Sequence, residues 1–155
     1  MSSEISDSAK QQTVPHCSGF VAIVGRPNVG KSTLLNQLLG EKIAIVTPKP
    51  QTTRNQIKGI KTTENAQIVF LDTPGIHRAH SLMNKRMVET ALKALKEVDT
   101  VLWLIDAREA LRREDEDIAR TLEESRTPTL ILLNKIDLIS KGKLLPLMER
   151  CAALL

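Results

Sequence analysis

Short apolar runs along the chain indicate buried strands. Continuous hydrophobic segments occupy residues 20–24, 101–105 and 129–133, a pattern typical of strands that are covered on both faces of a parallel sheet. Residues 56–61 alternate weakly and carry lysines, which suits an edge strand, and residues 66–71 predict its hairpin partner. The hydrophobic pattern therefore predicts five strands, one of them at an edge.

Amphipathic stretches separate these strands. Helical spacing of apolar residues predicts helices over 31–39, 82–96 and 113–124. Gly40 follows the first helix at a position where glycine commonly ends helices. Pro146 is predicted to occupy the first position of a terminal helix. Because strand and helix alternate, we expect a three-layer α/β fold with a mostly parallel sheet and one antiparallel edge strand.

The N-terminal region has a different character. Residues 1–18 are polar, rich in Ser and Gln, and predict a disordered leader, so residues 19–155 are expected to form one domain. The leader contains no apolar stretch long enough for a secretory signal or a membrane span. We therefore predict a cytoplasmic protein with no transmembrane segment, and peripheral membrane contact stays open.

Composition adds limits rather than a function. The chain has 155 residues, of which 41% are hydrophobic and 2% aromatic, so its core must be aliphatic and a base-stacking surface is disfavoured. The net charge of +4 does not establish an anionic partner, because basic and acidic residues are interspersed. Cys17 and Cys151 are far apart in sequence, and we expect both thiols to remain unbridged in a reducing compartment.

A glycine-rich segment between the first strand and the first helix predicts a phosphate site. Its spacing, Gly25-x-x-x-x-Gly30-Lys31-Ser32, is that of the P-loop, whose backbone N–H groups surround a phosphate at a helix N-terminus. Lys31 is expected to reach the β- and γ-phosphates, and the Ser32 hydroxyl to bind Mg²⁺. The complete predicted set is Gly25, Arg26, Pro27, Asn28, Val29, Gly30, Lys31, Ser32 and Thr33. This loop alone is compatible with an ATPase, a kinase or a GTPase.

A second segment predicts the metal-binding side of the site. Asp72 follows an apolar strand, where it can hold the Mg²⁺ hydration shell, and it opens the sequence Asp72-Thr73-Pro74-Gly75. The Gly75 N–H can approach the γ-phosphate closely because glycine has no side chain. Thr53, in the loop before residue 56, is a candidate for completing the Mg²⁺ coordination when GTP is bound. The predicted metal ligands are thus Ser32, Thr53 and Asp72, and the predicted catalytic residues are Lys31, Thr53 and Gly75.

The segment after the last apolar strand distinguishes the base. In Asn134-Lys135-Ile136-Asp137, the Asp137 carboxylate can accept two hydrogen bonds from guanine N1–H and N2–H₂, a donor pair that adenine lacks. Asn134 is expected to bond guanine N7, and the stem of Lys135 to lie along the base. The residues therefore predict GTP and GDP as ligands.

Taken together, these segments resemble the first four conserved elements of translation-factor-related GTPases. Gly25–Ser32, Gln51-Thr52-Thr53-Arg54, and Asp72–Gly75 followed by Ile76 are most similar to the Era family. The resemblance covers nearly everything from Gly19 onward and implies a P-loop NTPase fold with Mg²⁺-dependent GTP hydrolysis. It also implies binding of small-subunit rRNA and a role in assembly of the 30S subunit, through a KH domain that this chain lacks.

The sequence differs from known GTPase patterns at two points, and the resemblance suggests one further ion site. The fifth element of the family, a Ser-Ala loop near guanine O6, has no match, so the domain is expected to be incomplete at its C-terminus. Ile76 stands where Ras-like enzymes have a water-orienting Gln. Asn28 resembles the P-loop Asn of K⁺-stimulated relatives, which suggests a K⁺ site. Two alternatives stay open, a catalytically idle guanine-nucleotide-binding or interaction module and an ATP-dependent P-loop enzyme.

Overall fold

The computed structural model describes residues 16–40, 56–72 and 85–155. The described ranges form β1 (Cys17–Val24), α1 (Lys31–Leu39), β2 (Gln56–Thr62), β3 (Ala66–Asp72), α2 (Lys85–Lys96), β4 (Thr100–Asp106), α3 (Arg113–Ser125), β5 (Thr129–Asn134), a short 3-10 helix (Ile136–Leu138) and α4 (Lys141–Ala152). Each predicted strand and helix is present, although residues 82–84 of the predicted second helix lie outside the described residues.

Within these ranges the strands form one sheet in the order β2-β3-β1-β4-β5. β1 pairs in parallel with β3 on one side and with β4 on the other, and β4 pairs in parallel with β5. β2 is antiparallel to β3 and lies at the edge of the sheet. The predicted α/β class, with a mostly parallel sheet and one antiparallel edge strand, is confirmed.

The helices cover the two faces of the sheet. Ala22 and Val24 of β1 belong to a large core cluster that includes the fully buried Trp103 of β4 and buried residues of α2, α3 and α4. Ile23, between them in sequence, belongs to a smaller cluster with Leu35 of α1. Because successive strand residues face opposite sides, α1 lies on one face and the other three helices lie on the other. This arrangement gives the three layers that the sequence predicts.

The first strand begins earlier than predicted. β1 begins at Cys17, and Cys17 and Ser18 pair with Ala66 and Gln67 of β3, so the strand includes the last two residues of the predicted leader. The hydrophobic pattern did not indicate this start because both residues are exposed. The rest of the leader, residues 1–15, lies outside the described residues.

The placement of Pro146 at the start of the terminal helix was wrong. α4 begins at Lys141, and Pro146 lies inside it. The proline ring has no N–H to donate to the carbonyl four residues earlier, so its position costs a helix hydrogen bond. The helix continues because Leu147 and Cys151 are buried in the large core cluster on its inner side.

Cys17 is exposed and Cys151 is buried, and neither forms a disulfide, as the sequence predicts. Across the described ranges, none of the helices has the length and hydropathy that a bilayer crossing requires.

Candidate nucleotide-binding site

The parallel strands bring the predicted elements to one edge of the sheet. β1 ends at Val24, opposite Trp103 of β4, and the phosphate loop follows directly. β4 and β5 end side by side, because Asp106 pairs with Asn134. In parallel α/β sheets, ligands bind beyond the carboxyl ends of the strands, near the point where the strand order reverses. Here the order reverses around β1, where the loop begins.

The phosphate loop depends on two glycines. Gly25 has φ 142° and Gly30 has φ 106°, both in the region that glycine tolerates and other residues rarely adopt. A Cβ on Gly25 would collide with the Leu104 carbonyl oxygen, and a Cβ on Gly30 would collide with Asn134 Nδ2. The backbone of the loop therefore packs directly against β4 and against Asn134, the first residue of the Asn134–Asp137 segment.

Lys31 bends over the phosphate loop. Its Nζ donates hydrogen bonds to the carbonyl oxygens of Gly25 at 2.8 Å and Arg26 at 2.6 Å. The side chain is half-buried, while Ser32 and Thr33 are exposed at the first turn of α1. Gly30 precedes that turn and has no side chain with which to cap it. The ammonium group and the N-terminal amides of α1 thus lie at one small site suited to an anion.

The Asn134–Asp137 segment is joined to the phosphate loop by direct hydrogen bonds. Asn134 Nδ2 donates to the Val29 carbonyl oxygen at 2.8 Å, and Lys135 Nζ donates to the Asn28 carbonyl oxygen at 2.8 Å. Lys135 adopts a left-handed conformation, with φ 60°, and is the N-cap residue of the 3-10 helix. Asp137 lies exposed in that helix. Two segments about a hundred residues apart therefore form one site.

Asp106 is a part of this site that sequence reasoning missed. It is 2% exposed, and it accepts hydrogen bonds from Arg108 Nε and Nη2 and from Lys135 Nζ at 2.7 Å. The hydrogen bonds from Arg108 are the main cause that holds the pKa of Asp106 well below its usual range, and Lys135 adds to this effect against the opposing effect of burial. Asp106 therefore fixes Lys135 against the loop. The sequence did contain a signal for Asp106, because it follows an apolar strand in the same way as Asp72 does.

Arg26 belongs to the phosphate loop, but its side chain is buried in the protein. Its Nε donates a hydrogen bond to Asp115 Oδ1 at 3.0 Å, and its Nη1 donates one to Glu109 Oε2 at 2.8 Å. Burial alone lowers the pKa of Arg26, but the hydrogen bonds and charges of the two carboxylates outweigh it and raise the pKa overall. Asp115 lies in an acidic run, 114–117, at the start of α3. The loop is thus also anchored to α3.

Several predicted residues cannot be placed. Thr53, Thr73, Pro74 and Gly75 lie outside the described residues, as does Ile76. Asp72 is the last residue of β3, so its backbone lies at the expected edge of the sheet. The predicted Mg²⁺ set of Ser32, Thr53 and Asp72 therefore stays a prediction. The described part of the chain contains no group of three or more His, Cys, Asp or Glu residues that could hold a metal.

The fold and this site define the chain as a P-loop nucleotide-binding domain of the GTPase type. The family model described as 50S ribosome-binding GTPase matches residues 20–135. The chain therefore belongs to that family.

Individual relatives are consistent with this assignment. The chain is 55% identical over 139 residues to a protein named GTPase Era from Geobacter metallireducens, covering 90% of this chain and 46% of that protein. It resembles a crystal structure of Era in complex with MgGDPNP and nucleotides of 16S ribosomal RNA, with 45% identity, a TM-score of 0.69 and coverage of 89% and 47%. A structure of Aquifex aeolicus Era bound to GDP and AlF4⁻ has 44% identity, a TM-score of 0.67 and coverage of 88% and 47%. The chain thus spans about half the length of these relatives.

Proposed function

We propose that this chain binds GTP and GDP with Mg²⁺ and hydrolyses GTP to GDP and phosphate as a molecular switch. The observation that carries the proposal is the pair of hydrogen bonds from Asn134 and Lys135 to the carbonyls of the phosphate loop. They hold the base-reading segment beside the phosphate loop. Asp137 follows them directly and is exposed, so its carboxylate is available to a base.

The described residues suit a nucleoside phosphate and its metal. Lys31 already holds its ammonium against two loop carbonyls, close to the N-terminus of α1, where phosphate oxygens are favoured. Ser32 is exposed at that terminus and supplies the hard oxygen donor that Mg²⁺ prefers. In this proposal Ser32, Thr53 and Asp72 hold Mg²⁺, which would neutralise charge on the phosphates. Lys31 and the Gly75 N–H bind the γ-phosphate, and Asp137 reads guanine.

Hydrolysis is tested best by phosphate release in a single turnover. We expect GTP to be converted slowly, because Ile76 has no group that can orient water, and we expect Lys31→Ala to abolish the release. Lys143→Ala is the matched control, because Lys143 is exposed in α4, and it should release phosphate at the unsubstituted rate. Release at the same rate in Lys31→Ala would contradict the proposal. GDP binding without any GTP turnover would instead favour the idle-module alternative.

A finer proposal concerns K⁺. Asn28 is exposed in the phosphate loop, with φ 63°, and its carbonyl oxygen accepts the hydrogen bond from Lys135. Its side chain is thus presented at the surface of the loop, and the likeness to K⁺-stimulated relatives suggests that it helps to hold the ion. GTP turnover should be faster in KCl than in NaCl, and Asn28→Ala should remove the difference. Equal turnover in the two salts would contradict the K⁺ site.

The cellular role is proposed from the relatives. One of them was solved in complex with 16S ribosomal RNA, and others are named GTPase Era. We propose that a protein containing this domain acts in the cytoplasm in assembly of the small ribosomal subunit, with rRNA contacted through a KH domain. Copurification of small-subunit rRNA with a chain extended by such a domain, but not with this chain, is the expected result. Equal copurification of rRNA with both chains would contradict the proposal that the KH domain makes the rRNA contact.

A further inference from the structure

The buried side chain of Arg26 is an unusual feature of the phosphate loop. Arginine is rarely buried unless it is paired, and Arg26 is only 6% exposed. Two carboxylates pair with it, Asp115 at 3.0 Å and Glu109 at 2.8 Å, and both come from the region between β4 and the first turn of α3. The side chain therefore does not face a ligand. It connects the loop to another element of the fold.

Asp115 uses both of its carboxylate oxygens. One accepts the hydrogen bond from Arg26 Nε, and the other accepts the backbone N–H of Arg112 at 2.9 Å, just before α3 begins. Asp115 is fully buried. α3 itself is fixed to the large core cluster by Ile118 and Leu122. One carboxylate thus connects the phosphate loop to a helix whose inner side is buried in the core.

The same residue of the loop also holds Lys31. The Arg26 carbonyl oxygen accepts a hydrogen bond from Lys31 Nζ at 2.6 Å, so the orientation of this peptide group influences where the ammonium lies. Asp115 is linked to the side chain of Arg26, and the backbone of Arg26 is linked to Lys31. We propose that Asp115 is a positioning residue, which acts through Arg26 to hold the phosphate loop and Lys31 in the conformation that binds nucleotide. This inference rests on the proposed nucleotide binding.

A simpler role for Asp115 would be structural, as the residue that caps α3. Both roles predict a less stable protein when Asp115 is changed, because a buried charge loses its partner. They differ in their coupling to Arg26. If Asp115 acts through Arg26, losing both side chains should weaken nucleotide binding no more than losing one. If Asp115 only caps α3, its effect should be independent of Arg26 and should multiply with the effect of losing Arg26.

The test is a double-mutant cycle on GDP affinity in the full chain. It compares Asp115→Asn, Arg26→Gln and their combination. The dissociation constant and the dissociation rate of a fluorescent GDP analogue are measured for each chain that circular dichroism shows to be folded. Asn keeps an oxygen that can accept the Arg112 N–H, so the cap is retained while the charge is lost. The matched control is Asp117→Asn, since Asp117 lies on the same helix and pairs only with Arg120 at the surface among its described ion pairs.

Each single substitution should raise the dissociation constant for GDP about tenfold, and the combination should also raise it about tenfold. Asp117→Asn should leave it within about twofold. The inference is overturned if Asp115→Asn lowers stability towards urea but leaves GDP affinity unchanged, or if the two single effects multiply. Failure of the unsubstituted chain to bind GDP would overturn the proposed function itself.

A milder substitution keeps the test decisive if a buried variant does not fold. Glu109 is the half-buried partner of Arg26 and also pairs with the Arg112 side chain, but it does not accept the Arg112 N–H. Glu109→Ala therefore removes one contact of Arg26 while Asp115 still accepts the Arg112 N–H at the start of α3. It should speed dissociation of the GDP analogue about threefold through a looser loop. An unchanged dissociation rate would overturn the inference.

Discussion

Gly30→Ala is the substitution that examines the geometry of the phosphate loop most closely. Gly30 has φ 106° and lies against the side-chain amide of Asn134, so an added methyl group meets two obstacles. The backbone must either keep an unfavourable conformation or change it. The methyl group must also displace Asn134, whose amide donates the 2.8 Å hydrogen bond to the Val29 carbonyl oxygen.

The size of the effect follows from these two costs. A left-handed conformation costs a residue with a Cβ about 1–2 kcal/mol. Loss of the hydrogen bond from Asn134 costs about 1 kcal/mol. We therefore expect Gly30→Ala to lower the free energy of unfolding by about 2–3 kcal/mol. GDP binding should weaken as well, because both the loop and the base-reading segment shift.

The assay is urea unfolding followed by circular dichroism, together with calorimetric GDP titration. Gly142→Ala is the matched control, because Gly142 lies in α4 with no atom within 4 Å of the added Cβ. In a helix this exchange should raise stability by about 0.5 kcal/mol and leave GDP affinity unchanged. If Gly30→Ala were as stable as Gly142→Ala and bound GDP equally well, the close packing of the loop against Asn134 would be refuted.

Three further predictions concern pH, thiol chemistry and helix geometry. Hydrogen bonds, chiefly from Arg108, lower the pKa of Asp106 in the folded protein, so its stabilising contribution is present above the unfolded pKa of about 4 and is lost as the pH falls further. Urea titrations between about pH 5 and 2 should show a smaller loss of stability for Asp106→Asn than for the unsubstituted chain, and identical slopes would contradict this account. Iodoacetamide should label the exposed Cys17 in the native protein but not Cys151, because Cys151 is buried and burial raises the pKa of its thiol. Peptide mapping that found both labelled equally before unfolding would be inconsistent with the packing of α4. Pro146→Ala should raise the free energy of unfolding by about 1–3 kcal/mol, because alanine restores a helix hydrogen bond. A lower thermal midpoint for this variant would argue against a continuous α4.

The fold was largely predictable because buried parallel strands are continuous apolar runs. Residues 101–105 and 129–133 lie within β4 and β5 for this reason. Pro146 was misplaced because a local preference for the first turn competed with the burial of Leu147, which only the packed structure reveals. The start of β1 was missed because its first two residues are exposed and carry no hydrophobic signal.

The sequence predicts candidate site residues where their chemistry is local. Two motifs can be recognised from a short stretch of sequence, because each consists of residues that are close together along the chain: Gly25–Ser32 and Asn134–Asp137. The partners of Arg26 are 83 and 89 residues away, and no local pattern marks a pair at that separation. Such contacts are fixed by how α3 packs against the sheet, which is a tertiary property.

The preference for guanine is the central claim, and competition binding tests it most directly. GTP and GDP should displace a fluorescent guanine nucleotide from the chain, and ATP and ADP should not do so at about a hundredfold excess, because adenine offers the Asp137 carboxylate no pair of donors. Asp137→Asn should weaken GDP binding and favour xanthosine diphosphate, because its amide can donate to the xanthine 2-oxygen. Equal displacement by ATP and GTP, with no change of preference in Asp137→Asn, would contradict the claim.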